Sequence, residues 1–213
     1  MTSTPEVSSG VNTSATYRRQ VALQFAESIA MPARFFEEQA DRLSQACFEM
    51  ARRFQRGGRL LVFGAGSSAT DAQHVSVEFV HPVIVGKRAL PAISLTNDVA
   101  ALTGWAQQAG LGQMFARQVQ LLGVPADIAL GLSMDGDDES VVNGLAAAKT
   151  IGLLTIGMCG NRDRRMTQSQ AVDFCFAVPS DNPHVVQEVQ ETAYHILWET
   201  VHVFFEHKGL LEN

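Results

Sequence analysis

His74 and Glu78 stand four positions apart in the stretch DAQHVSVEFV. On a helix that spacing puts both on one face. An imidazole beside a carboxylate suits a metal ion, or a proton-transferring base next to the group that orients it. A plain solvated helix pair has the same spacing. Just upstream, GAGSSATDAQH (64–74) supplies Gly66, Ser67 and Ser68. Glycines there let the backbone approach a ligand, and serines at a helix start offer anion contacts alongside the first N–H groups. A tight link from strand to helix would look alike. A third stretch, GLSMDGDDES (131–140), sets Asp135, Asp137, Asp138 and Glu139 directly after an apolar run. Such a strand end, with Ser133 and Gly136, is a usual anion seat, so the acids need an explanation. They either cap and favour the N-terminus of the next helix or change what the loop holds.

The elements that position these stretches follow from periodicity. Residues 17–56 contain no glycine, and Phe35, Phe36, Leu43, Phe48 and Phe54 recur at helical spacing, which predicts a long helical arm broken or kinked at Pro32. Apolar runs then begin near 59, 91, 127, 153 and 172, separated by helix-like segments at 68–80, 112–122 and 139–150 and a turn near 163–169. Strands alternating with helices predict an α/β fold, a three-layer α/β/α domain with a five-stranded parallel sheet over 57–208. Residues 185–205 read as a long C-terminal helix. Ligands in such sheets sit at the carboxyl ends of the strands, where both loops fall.

Hydrophobic residues make up 46 % of the 213 positions and charged residues 18 %, which excludes a disordered chain. Sixteen basic residues against 22 acidic ones, a formal charge of −6 and no long basic run argue against nucleic-acid binding. Cys47, Cys159 and Cys175 are odd in number and lack CxxC spacing, which fits a reducing cytoplasm better than a disulfide framework. The Ser/Thr-rich start has no apolar core of a signal peptide, so 1–16 reads as a flexible tail. No run approaches the roughly 20 apolar residues of a membrane helix.

Several motifs in order carry a more specific resemblance: GAGSSATDAQHVSVEFV, LPAISLTNDVAALTG, FARQVQLLG, AAAKTIGLLTIGM and VPSDNPHVVQEVQETAYHIL. Together, over about residues 35–205, they resemble the sugar isomerase (SIS) domain family, and within it the phosphoheptose isomerase branch. The resemblance implies a flavodoxin-like fold, a homotetramer with sites at subunit interfaces, and aldose–ketose isomerisation of a sugar phosphate such as sedoheptulose 7-phosphate. It makes Glu78 the proton-transfer base. Ser68, Asp98 and Gln187 position substrate, and His74, Glu78 and Gln187 form a zinc set as in some members; no other cofactor is implied.

Departures from the family pattern fall inside the site. Ala65 stands where family members carry a sugar-contacting Asn, and Ser67 replaces a Gly. The motif Gln-Glu-x-His reads Gln187, Glu188, Val189, Gln190, which puts Gln190 at the position of the second catalytic group. Glutamine neither titrates near neutral pH nor ligates zinc well. Glu191, four residues past Gln187, is a substitute ligand; His195, about 140° round the helix from Gln190, reads as a core or interface histidine. In the phosphate loop Met134, Asp135, Asp137 and Asp138 replace Thr, Ser, Asn and Ser. Two unit charges about 4 Å apart interact by roughly 4 kcal/mol at an effective dielectric near 20, and against phosphate the sign is repulsive.

A non-catalytic SIS protein serving binding or assembly is therefore the alternative, and a cation or amino-bearing ligand a third. Asp98 is equally a helix N-cap. Ser180, Asp181, Asn182 and Pro183 read as a helix start, with His184 exposed beside it. Trp198, Phe204 and Phe205 read as core or interface, and the arginines of GNRDRR (160–165) as solvated surface.

Overall fold

The computed structural model describes residues 13–161, 163–207, 209 and 211. Its strands are β1 (Leu60–Gly64), β2 (Ala92–Ser94), β3 (Ile128–Leu132), β4 (Leu154–Gly160) and β5 (Phe174–Val178). All pair in parallel in the order β2-β1-β3-β4-β5. The helices are α1 (Thr13–Gln55), α2 (Ser67–Val80), α3 (Val99–Ala109), α4 (Met114–Leu122), α5 (Glu139–Ile151), α6 (Arg165–Gln168) and α7 (Pro183–Glu206).

Successive strand residues face opposite sides of a sheet, and here both sides are covered. Leu60, Val62, Ile128, Leu130, Leu132, Ile156 and Met158 pack with apolar residues of α1, α2 and α7. Leu61, Phe63, Ala129 and Cys159 pack with α4 and α5 on the other side. The result is the expected three-layer α/β/α, flavodoxin-like domain. Its continuous apolar strands follow from burial on both faces.

The arm departs from expectation in two ways. Residues 13–16 are already helical, while the rest of the supposed tail, 1–12, lies outside the described residues. The helix also runs through Pro32 without a break. A proline removes one backbone bond, and the turns that follow it are anchored by Phe35, Leu43, Cys47, Met50 and Phe54, all buried against the sheet and α7. The unexpected element is α3. It contains Gly104 and buries none of its residues, so no amphipathic stripe announces it.

Candidate functional site

From β1 and β3, neighbours in the sheet, the chain continues in opposite directions, and this reversal opens a crevice at their carboxyl ends. β1 ends at Gly64 and β3 at Leu132. Gly66 then turns the chain into α2 with φ +60°, a backbone conformation that favours glycine. No side chain caps this helix start. Ser67 is exposed, whereas Ser68 is 1 % exposed and its Oγ has no hydrogen-bond partner among the described residues.

Asp71, His74 and Glu78 lie one, two and three turns along α2, and the first two meet α7. Asp71 is buried and accepts both of its 3.1 Å bonds from Gln187 Nε2. Burial pushes the Asp71 carboxyl up, as does the charge of Glu191, against the opposing effects of the Gln187 amide and His74. His74 Nε2 lies 3.3 Å from Glu78 Oε1, and its Nδ1 lies 3.0 Å from the Tyr194 hydroxyl and 3.8 Å from Glu191 Oε1. The Tyr194 phenol is raised by burial and then by the charges of Glu191, Asp71 and Glu78. The His195 ring stands edge-on to those of His74 and Tyr194, with centroids 5.2 and 4.9 Å away.

Ligating atoms of His74, Glu191 and His195 all lie within 4.8 Å of one another. Two imidazoles and a carboxylate are a donor set zinc accepts, and the spacing allows them to share one ion. The residues present therefore fit such an ion. Gln187 stands beside this trio with its amide nitrogen tied to Asp71.

The structure sets Gln190 and His195 on different sides of α7. Gln190 is 1 % exposed, and its Nε2 donates to the Ser133 carbonyl at 3.0 Å. Its Oε1 has no partner among the described residues. The reason is helical register: Gln190 belongs to the buried stripe Val186, Val189, Ala193 and Leu197, which presses on the sheet. His195 is half-buried on the flank that meets α2, in line with Gln187 and Glu191. His195 therefore lies off the buried stripe, and the imidazole beside His74 comes from position 195 and not 190. Spacing at i, i+4 and i+8 from Gln187 was the available signal. Asp71 and Tyr194 were missed; Asp71 carried only its place one turn before His74.

The acidic loop is arranged locally. Asp135, exposed, accepts from Ser133 Oγ at 3.2 Å and from the Asp137 amide at 2.9 Å on the same oxygen. The Gly136 amide donates to Ser133 Oγ at 2.9 Å, and Gly136 has φ +79°. Asp137 accepts from the Arg165 amide and from the Arg164 guanidinium, each at 3.0 Å. That backbone bond first, then the arginine charge, holds its carboxyl below the usual range. Asp138 caps α5, accepting from the amides of Ser140 and Val141. Glu139 occupies the first turn of α5.

Several other residues have structural roles. Asp98 caps α3 through the Ala101 amide at 2.9 Å. Asn182 caps α7, with Pro183 opening the helix, and Ser180 Oγ accepts from the Asn182 amide. His184 is exposed and Trp198 buried, while Phe204 and Phe205 pack partly buried on the core. Arg164 is an ion-pair partner of Asp137 and not solvated surface alone; Arg162 lies outside the described residues. No helix among the described residues is long and apolar enough to cross a membrane.

Comparison with known proteins is consistent along the chain. The SIS domain family model matches residues 24–160. The phosphoheptose isomerase of Solidesulfovibrio magneticus is 38 % identical over 88 % of this chain and 91 % of its own. That of Roseiflexus sp. is 37 % identical over 87 % and 93 %. Solved phosphoheptose isomerases from Neisseria gonorrhoeae and Francisella tularensis superpose with TM-scores of 0.79 and 0.78 at 26 % and 29 % identity. They cover 87 % and 86 % of this chain, and 98 % and 96 % of theirs.

Proposed function

This chain belongs to the SIS domain family and is phosphoheptose isomerase-like, and from that premise we propose that it interconverts an aldose and a ketose in the crevice between α2 and α7. The observation that carries this reading is the meeting of Glu78, His74 and His195 from two helices. Isomerisation moves one proton between adjacent carbons and another between their oxygens. Glu78 takes the proton from the carbon beside the carbonyl, the electron pair left behind forms the enediol double bond, and Glu78 returns the proton to the neighbouring carbon. The second proton passes from the hydroxyl oxygen to the former carbonyl oxygen, a transfer assigned to His195 when its ring nitrogen is free of metal. Gln187, oriented by Asp71, and the hydroxyl of Ser68 position the sugar.

Zinc would be held by His74, Glu191 and His195, and when bound it would polarise the substrate oxygens. Glu78 lies beside this set and keeps its carboxylate for the carbon acid. The assignment replaces the trio of His74, Glu78 and Gln187 expected from resemblance.

Tyr17, Val21, Phe25 and Ile29 form an exposed apolar stripe on the first half of α1. We assign it to self-association, as the homotetramer expectation requires. Changing Val21 and Phe25 to Glu should lower the mass seen by light scattering. A reducing cytoplasm accords with cysteines 47, 159 and 175, all unbridged.

The reaction is tested by incubating the protein with sedoheptulose 7-phosphate in deuterated water and following aldose formation and deuterium entry, with Glu78→Gln as control. Turnover that Glu78→Gln abolishes supports the reading. No turnover or exchange with this or the unphosphorylated sugar, with or without zinc, would overturn it and leave the non-catalytic binding role.

A further inference from the structure

At neutral pH a phosphate is essentially an acceptor of hydrogen bonds, and a seat for it must offer donors. In the loop after β3 several of the donors are engaged. Ser133 Oγ and the Asp137 amide both point to Asp135 Oδ1, at 3.2 and 2.9 Å, and the Gly136 amide points to Ser133 Oγ at 2.9 Å. The loop thus holds an anion of its own, tethered two residues from the groups that bind it. The nearby guanidinium of Arg164 is engaged by Asp137 at 3.0 Å, and the Asp138 carboxylate caps α5.

A second observation comes from a different element. The Gln190 side chain, 1 % exposed, grips the Ser133 carbonyl through Nε2 and is left with an Oε1 that has no donor. A buried acceptor without a donor costs stability. Across the β1–β3 crevice, Ser68 Oγ is equally buried and unpartnered. A ligand hydroxyl can donate to Gln190 and can either donate to or accept from Ser68. A phosphate oxygen can do nothing for Gln190 and is repelled by Asp135.

We propose that Asp135 is a specificity-determining residue that excludes phosphate from the loop after β3, so that the sugar end seated there is uncharged and bears hydroxyls. The inference rests on the isomerase reading for the reaction, but its binding claim stands apart from catalysis. The Asp135 carboxylate is exposed, so solvent screening tempers the repulsion. Removing its charge should strengthen phosphosugar binding by roughly 10- to 100-fold.

The test is calorimetric titration of the full chain, as wild type, Asp135→Asn and Asp135→Ser, with sedoheptulose and sedoheptulose 7-phosphate, each also followed for deuterium exchange. Wild type should bind the unphosphorylated sugar at least about tenfold more tightly. Both variants should gain affinity for the phosphosugar while sedoheptulose changes less than about threefold. Asp135→Asn keeps the side-chain shape, so a misfolded Asp135→Ser does not decide the matter. Wild-type preference for the phosphosugar, unchanged phosphosugar affinity in both variants, or no binding of either sugar would each overturn the proposal. The expected binding pattern without deuterium exchange would instead remove the isomerase reading and leave Asp135's role standing.

Discussion

Asp138 satisfies amides two and three residues away and Asp135 one two residues away. In the seam between α2 and α7, Asp71 meets Gln187 across 116 positions and His74 meets Tyr194 across 120. These two acids are satisfied by their own neighbours and work as cap and turn former, whereas Asp137 in the same loop is held by Arg164 and Arg165, 27 and 28 positions on. The seam's groups are brought together only when two helices dock, and Asp71 is held there against the cost of burial. Strained protonation equilibria of that kind collect where chemistry is done.

The largest break in this contrast is expected from Glu78→Gln. Removing a positioned general base should lower isomerisation by about 10²- to 10⁴-fold, read as deuterium entry at the reacting carbon, with the thermal melt almost unchanged. Next, His195→Ala should weaken zinc binding by at least about tenfold, measured by competition with a chelator. Gln190→Ala should leave that affinity within about twofold and lose roughly 1–3 kcal/mol in urea denaturation, because it vacates the Ser133 carbonyl. The reverse outcome, zinc lost with Gln190 and kept without His195, would return the second catalytic position to 190. In the loop, Asp138→Ala should cost about 1 kcal/mol as an ordinary cap and leave zinc affinity untouched.

The smallest effect separates the two regions by sign. Asp71 is raised in the fold, so its contribution to stability is fully present below the unfolded carboxylate value and is lost as pH rises through its elevated one. Asp137 is lowered, so its contribution is present above the unfolded value and is lost as pH falls through the depressed one. Urea midpoints taken across the acid range should therefore show opposite changes of slope in Asp71→Asn and Asp137→Asn. Parallel curves would mean that the two carboxylates share one environment.

Much of the fold was legible because burial on both faces writes strands as uninterrupted apolar runs. The expected helices at 68–80, 112–122 and 139–150 lie close to α2, α4 and α5. α3 was not legible, since a helix that buries nothing has no stripe to read. In the site, the shared face of His74 and Glu78 follows from the helical repeat. That Gln190 faces inward was not read from its place in the motif, although the apolar stripe through Val186, Ala193 and Leu197 marks that position as inward-facing.

From its residues alone this chain determined a parallel α/β sheet, the two strand-end loops and the pairing of His74 with Glu78, since each depends on near neighbours and a fixed repeat. The tertiary structure alone decided that His195 and Glu191 meet His74, that Asp71 receives the Gln187 amide, and that Arg164 neutralises Asp137. Periodicity says which side chains share a face. Which other helix that face meets depends on packing across the sheet, between segments more than a hundred positions apart.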